Sequence, residues 1–161
     1  MKKFLVIGNP IEHSLSPQLH NFWIKKNNLN AIYTKKKLND DDLEELILEM
    51  RENNLDGINV TVPFKKKIIP YLDELSNEAK ETESVNTIYL KDDKIKGHNT
   101  DVSGFEYSIK DLNINMSNKK VLIIGAGGVV SSILFALNKM SLHKIFVTNR
   151  TRKKVEDLKK I

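Results

Sequence analysis

Val121-Leu122-Ile123-Ile124-Gly125-Ala126-Gly127-Gly128 is an unbroken apolar run that ends in glycine. Four apolar residues in a row suit a strand buried in a parallel sheet rather than one with a wet face. The stretch from the glycines to about Met140 has helical periodicity. A Gly-x-Gly set between strand and helix lets backbone N–H groups at the helix N-terminus come close to a pyrophosphate. Here the strand before and the helix after are both present, which gives the motif its proper context. The third glycine of that fingerprint falls on Val130, a bulkier residue at a position where helix and strand pack closely. Lys144 to Thr148 reads as the next strand and Thr151 onward as the next helix. The last third of the chain is therefore β–Gly loop–α–β–α.

The end of that second strand bears on which dinucleotide fits. An NAD site places an acid about 20 residues beyond the glycines, where it holds the ribose 2′-hydroxyl. Val147-Thr148-Asn149-Arg150-Thr151-Arg152 offers no acid, and it holds two of the chain's 3 arginines among 23 lysines. A planar guanidinium fork suits a 2′-phosphate, so NADP is the expected cofactor. Charge points the same way. Residues 1–100 carry 15 basic and 16 acidic side chains, and residues 101–161 carry 11 and 5. The net charge of +5 therefore arises in the last third, where an anionic ligand is expected.

Upstream, short apolar runs alternate with amphipathic stretches. Phe4 to Ile7 reads as a buried strand closed by Gly8-Asn9-Pro10. Ser16-Pro17 opens a helix, with Ser16 as N-cap and Leu19, Phe22 and Trp23 as its apolar face. Ala31 to Lys37 is a second strand. Asp40-Asp41-Asp42 precedes a helix whose Leu43, Leu46, Ile47 and Met50 share one side. Asp56 to Val60 is a strand, and Lys65 to Leu72 and Glu74 to Glu81 read as short helices. Val85 to Leu90 and Ile95 to Gly97 flank Asp92-Asp93 as a hairpin. Asn99-Thr100-Asp101 introduces a connecting helix through about Leu112, which sets the domain boundary near residue 100. The expected organisation is an α/β substrate-binding lobe over 1–100, then the first half of a Rossmann-like nucleotide-binding domain over 101–161.

Composition removes several classes of function. With no cysteine in 161 residues, thiol nucleophiles, disulfides and thiolate metal sites are excluded. His13, His20, His98 and His143 are too scattered to suggest a metal. Met1-Lys2-Lys3 and the apolar residues after it resemble the start of an export signal, but the run stops at Gly8 and is too short. No stretch approaches the roughly 18 apolar residues of a membrane span. The lysine runs 35–37 and 65–67 lack the interleaved arginines and aromatics of a nucleic-acid surface. A cytoplasmic protein acting on a small molecule, as monomer or homodimer, is expected.

Three polar clusters in the first lobe could carry chemistry. Ser14-Leu15-Ser16-Pro17 puts two hydroxyls beside a helix N-terminus, suited to a carboxylate. In Asn59-Val60-Thr61-Val62-Pro63-Phe64-Lys65, alternation places Asn59 and Thr61 on one face of a strand end, with Lys65 just beyond. An ammonium at a helix start beside Lys66 and Lys67 is disfavoured electrostatically, which suits a lysine that exchanges a proton. Asn99-Thr100-Asp101 places a carboxylate at another helix start. Each cluster alone also reads as capping or strand-end structure.

Together, and in this order with Val85-Asn86-Thr87, Gly125-Ala126-Gly127-Gly128 and Asn149-Arg150-Thr151, the clusters resemble the shikimate dehydrogenase family over essentially the whole chain. The resemblance implies two α/β lobes across a cleft and the NADP-dependent interconversion of 3-dehydroshikimate and shikimate. It implies that Ser14 and Ser16 hold the ring carboxylate, and that Asn59, Thr61, Asn86 and Asp101 hold the ring hydroxyls. Lys65 and Asp101 would be the catalytic pair. Gly125, Ala126, Gly127 and Gly128 would cradle the pyrophosphate, with Asn149, Arg150 and Thr151 at the 2′-phosphate. Quinate is the alternative substrate; Ser16, rather than a bulkier hydroxyl residue, leans toward shikimate. The sequence departs from the family at Val129-Val130-Ser131-Ser132 and at Lys154, which keeps an arginine's charge but loses its fork. Family chains run on well beyond residue 161, so an incomplete enzyme, or a lobe that binds shikimate without redox chemistry, is expected.

Overall fold

The computed structural model describes every residue except 117, 143 and 159–161, so His143 lies outside the described residues. Strands β1 (Lys2–Gly8), β2 (Ala31–Lys37), β3 (Gly57–Val60), β4 (Glu74–Leu75), β5 (Thr87–Lys91) and β6 (Lys94–His98) form one mixed sheet in the order β2-β1-β3-β5-β6-β4. β1 runs parallel to β2 and β3 on either side, and β5 is antiparallel to β3 and β6. Asp92 and Asp93, each at φ +56°, make the two-residue turn of the β5–β6 hairpin. Short polar side chains tolerate that left-handed backbone, and its twist matches the strands.

Side-chain alternation sorts the sheet into two faces. Leu5 and Ile7 of β1, Ile58 and Val60 of β3, Ile88 of β5 and Ile95 of β6 are buried on one face. Helix α1 (Ser16–Lys26) follows β1, and α2 (Leu43–Arg51) buries Leu43, Leu46, Ile47 and Met50, the stripe the periodicity specifies. On the other face Val6, Ile11 and Tyr33 form a small core with Phe4 and Ile24 packed against it. A fully buried aliphatic side chain contributes roughly 1.5–3 kcal/mol, so β1, apolar on both faces, anchors this unit.

Three local expectations need correction. Leu15, not Ser16, holds the N-cap position of α1, and Ser16 is its first residue. The hydroxyl of Ser14 accepts the Ser16 N–H at 3.3 Å, taking one of the end amides that a cap would otherwise satisfy. Leu19, Phe22 and Trp23 do not form a buried face: all three are exposed, and α1 meets the sheet through Asn21 and Ile24 instead. Finally, Glu74–Leu75 is a strand, because its backbone pairs with Lys96 and Gly97. The helical segments around it are α3 (Phe64–Lys67) and α4 (Asn77–Glu81).

The chain divides into two compact units, Met1–Ser76 with Val85–His98, and Asn77–Ser84 with Asn99–Ile161. Residues 77–84, which a cut at residue 100 assigns to the first unit, cluster with the second. The second unit contains α4, α5 (Asp101–Asp111), β7 (Val121–Ile124), α6 (Val130–Lys139), β8 (Ile145–Thr148) and α7 (Arg152–Asp157). β7 and β8 pair in parallel, and α5 packs on α6 with a Lys139–Glu106 ion pair of 2.9 Å. The expected burial of β7 is not met: Leu122 and Ile124 are 62% and 83% exposed. Alternation puts Leu122 and Ile124 on one face of the strand, which lies open, while Val121 and Ile123 on the other face are half-buried. Among the described residues no helix is long and apolar enough to cross a membrane, and no His, Asp and Glu cluster could hold a metal ion.

Candidate functional site

The first unit carries its polar groups at the C-terminal ends of β1 and β3, where two cis peptide bonds, Asn9–Pro10 and Val62–Pro63, follow the strands. The two strand ends stay joined past the sheet. Thr61 donates its N–H to Ile7 O at 2.9 Å, and Asn9 donates its N–H to Val62 O at 3.0 Å. Gly8 allows this closeness: a Cβ there would lie 2.6 Å from Thr61 Cγ2 and 3.1 Å from the Val62 carbonyl oxygen. Against these ends lies a cavity of about 300 Å³ lined by Val6, Pro10, Ile11, His13, Ser14, Ser16 and Thr61. Ser14, Ser16 and Thr61, three hydroxyls named by the sequence, thus surround one space.

The loop that brings the serines there is tied down. Ser14 N–H bonds back to Ile11 O at 3.0 Å. The Glu12 carboxylate accepts the Ile11 N–H at 3.0 Å, pairs with Lys37 at 3.2 Å, and its backbone carbonyl accepts from Lys35 Nζ. Hydrogen bonds from its own N–H, from Lys37 and from Ile11 hold the Glu12 carboxyl down at about 2.

Asn59, Thr87 and Val6 lie side by side across β3, β5 and β1. Asn59 Nδ2 donates to Asn86 O and Thr87 Oγ1, both at 3.2 Å, and Thr87 Oγ1 donates to Asn86 Oδ1 at 3.0 Å. Tyr33 Oη donates to Asn59 Oδ1 at 2.7 Å. Lys65 sits in α3, which follows a tight turn closed by Phe64 N–H to Thr61 O at 2.9 Å. The Lys65 carbonyl accepts the Val85 N–H at 2.8 Å, so the lysine and Asn86 are held on adjoining backbone. The first unit therefore gathers Ser14, Ser16, Asn59, Thr61, Lys65 and Asn86 at one end of its sheet.

Asp101 belongs to the second unit, as the first residue of α5. Its N–H is accepted by Oδ1 of Asn99 at 3.0 Å. Asn99 is buried, and its Nδ2 donates to Thr82 Oγ1 at 2.8 Å and Ser132 Oγ at 2.9 Å. Thr82 in turn donates to Glu78 O at 2.5 Å. The Asn99 side chain thus joins the start of α5 to α4 and α6.

The glycine loop follows β7 as the sequence specifies. Gly125 stands at φ +115°, a backbone that L side chains rarely adopt, and donates to Thr148 O at 2.7 Å. A Cβ at Gly125 or Gly127 would meet nothing within 4 Å, so the loop bounds open space ahead of α6, which begins at Val130. Val130, at the third-glycine position, is buried. Asn149 closes the turn after β8 by donating to Thr151 O at 3.0 Å, with Arg150 exposed between them. Arg152 instead pairs with Glu156 at 3.0 Å along α7. A glycine loop with open space beside it and an exposed arginine at the next strand end fit a dinucleotide that carries a 2′-phosphate.

Sequence reasoning missed Gly8, Tyr33, Thr87 as a functional side chain, and Asn99 as the buried hub below Asp101. Tyr33 had one visible signal, an aromatic in an otherwise lysine-rich strand.

Residues 6–88 match the family model of the shikimate dehydrogenase substrate binding domain, and residues 107–161 match the model of shikimate / quinate 5-dehydrogenase. The chain is 57% identical to a shikimate dehydrogenase (NADP(+)) of Pelagibacter ubique, over 99% of this chain and 60% of that protein. It superposes on a crystal structure of shikimate dehydrogenase from Aquifex aeolicus with a TM-score of 0.91 at 40% identity, covering 100% of this chain and 60% of that one. It also superposes on the Thermus thermophilus shikimate 5-dehydrogenase in complex with NADP(H) and shikimate, with a TM-score of 0.87 at 33% identity, covering 98% and 59%. The chain thus spans about three fifths of the length of these relatives. Two matching family models and a shared fold lead to one conclusion: the chain belongs to the shikimate dehydrogenase family.

Proposed function

We propose that this chain supplies the substrate-binding unit and the first part of the nucleotide-binding unit of an NADP-dependent oxidoreductase that interconverts 3-dehydroshikimate and shikimate in the cytoplasm. The observation that carries the reading is the set of three hydroxyls, Ser14, Ser16 and Thr61, around one cavity of about 300 Å³ at the strand ends that also carry Asn59, Lys65 and Asn86. Ser14 and Ser16 donate to the ring carboxylate from the start of α1. Asn59, Thr61 and Asn86 hold the ring hydroxyls and orient the reacting carbon. Lys65 takes the proton from the reacting hydroxyl during oxidation and returns it to the carbonyl oxygen during reduction; the family resemblance gives Asp101 the second catalytic role. Gly125 to Gly128 hold the pyrophosphate of NADP, and Asn149, Arg150 and Thr151 hold its 2′-phosphate. When bound, the nicotinamide exchanges the hydride. The protein's part is orientation and proton handling.

The test is NADP reduction by shikimate and by quinate, followed at the nicotinamide absorbance, beside calorimetric binding of each acid. The reading expects saturable shikimate binding in wild type and in Lys65→Ala, with turnover lost in the variant. Turnover retained by Lys65→Ala contradicts the assigned proton carrier. Shikimate binding without turnover in wild type would make this chain a substrate-binding unit alone. Tighter binding of quinate would exchange the substrate and keep the site.

A further inference from the structure

We infer that His13 supplies the positive charge that meets the ligand's carboxylate in the cavity at the ends of β1 and β3, an inference that rests on the proposed shikimate site. Of the side chains lining that cavity, three are apolar, three are hydroxyls, and His13 is the one that ionises. Hydroxyls give a carboxylate hydrogen bonds but no countercharge. An imidazolium gives both, and a hydrogen bond between charged partners is the stronger kind. His13 directly precedes Ser14, so the ring and the two serine hydroxyls enter the cavity from one short loop.

That loop is braced while the ring is not. Ser14 N–H to Ile11 O at 3.0 Å spans His13, and Ser16 N–H reaches Ser14 Oγ at 3.3 Å. The His13 side chain is exposed and has no hydrogen-bond or ion-pair partner among the described residues. The charged groups on the adjoining elements are engaged with one another. Glu12 pairs with Lys37 at 3.2 Å and accepts the Ile11 N–H at 3.0 Å, and Lys35 bonds the Glu12 carbonyl. On α1, His20 stacks against Tyr33 of β2. Beyond Thr61, α3 carries Lys65, Lys66 and Lys67, the last paired with Asp40 at 2.6 Å. No carboxylate lines the cavity, so a ligand's acid is the anion that an imidazolium there would meet. Affinity for the acid is then full where the imidazole is protonated and falls as pH rises through its titration.

The test is calorimetry of shikimate and of its methyl ester with wild type and His13→Gln between about pH 5 and 8, the range in which imidazoles change charge. Beside it, the ring Cε1–H resonance of His13, assigned by its loss in His13→Gln, is titrated with and without ligand. Wild type binds shikimate about five-fold more weakly at the upper end of the range, the size of a partly screened ion pair. Shikimate raises the midpoint of the His13 resonance by about 0.7 pH unit, the logarithm of the same factor. His13→Gln binds at the weaker level at every pH, and the ester binds wild type with no pH dependence. An unmoved His13 midpoint in a wild type that binds shikimate overturns the inference, as does the same pH dependence in His13→Gln or with the ester. 1-Cyclohexenecarboxylate, which keeps the acid and drops the hydroxyls, separates this inference from the substrate reading. If wild type does not bind shikimate but this acid raises the His13 midpoint, the carboxylate contact stands and the proposed substrate falls. If neither acid moves the midpoint, the inference falls.

Discussion

Phe4-Leu5-Val6-Ile7 and Val121-Leu122-Ile123-Ile124 are both unbroken four-residue apolar runs, with different fates. The first is an interior strand of a six-stranded sheet, paired on both sides, and its Ile7 is completely buried. The second has one strand neighbour among the described residues, and its Ile124 is 83% exposed. An apolar run specifies a strand, but burial is decided by what the rest of the chain lays on each side of it. The polar residues follow the same division. In the first unit Asn59 is cross-bonded from neighbouring strands, and Ser14, Ser16 and Thr61 line a cavity. In the second the glycine loop and Arg150 border open space.

The largest effect expected from this contrast is on stability. Ile7→Ala should cost about 2–5 kcal/mol in urea denaturation of the purified chain, and equal costs for Ile7→Ala and Ile124→Ala would break the comparison. Next comes the well-bonded spot in the second unit. Asn99→Ala removes the acceptor of the Asp101 N–H and the donor to the hydroxyls of Thr82 and Ser132, and should cost about 1–3 kcal/mol by the same measurement. A smaller effect tests the surface of the first unit. Arg51 grips Asp73 with two bonds of 2.8 and 3.0 Å, and the Ile95 N–H adds a third, which together hold the Asp73 carboxyl below its usual 3.8. A lowered carboxyl stabilises the fold above its ordinary value and loses that contribution as pH falls through the depressed one. The melting temperature should therefore drop modestly on acidification below about pH 4, and Asp73→Asn should flatten part of that drop. The smallest effect is at the open face of β7. Ile124→Thr should change stability by less than about 0.5 kcal/mol, and a large loss there would show that the face is covered.

Much of this was legible in the sequence because it depends on local order. The β–Gly loop–α pattern, the helix stripe of α2 and the Asp92-Asp93 hairpin turn each rest on neighbours in the chain. The serine, asparagine–threonine and lysine clusters were visible because each lies within a few residues. What stayed hidden depends on register. Tyr33 and Asn59 are 26 residues apart and meet only because β1 inserts between their strands. Asn99 reaches Ser132 across 33 residues. The apolar residues of α1 misled because periodicity names a stripe without naming its partner, and here Leu19, Phe22 and Trp23 face outward.

The proposed site holds shikimate at the C-terminal ends of β1 and β3, within the first unit. An amide ¹H–¹⁵N titration of the purified chain with shikimate tests it most directly. Saturable shifts concentrated at Ser14, Ser16, Asn59, Thr61 and Asn86 are expected, with little change along β8 and α7. Shifts scattered without saturation, or centred on the glycine loop of the second unit, would contradict it.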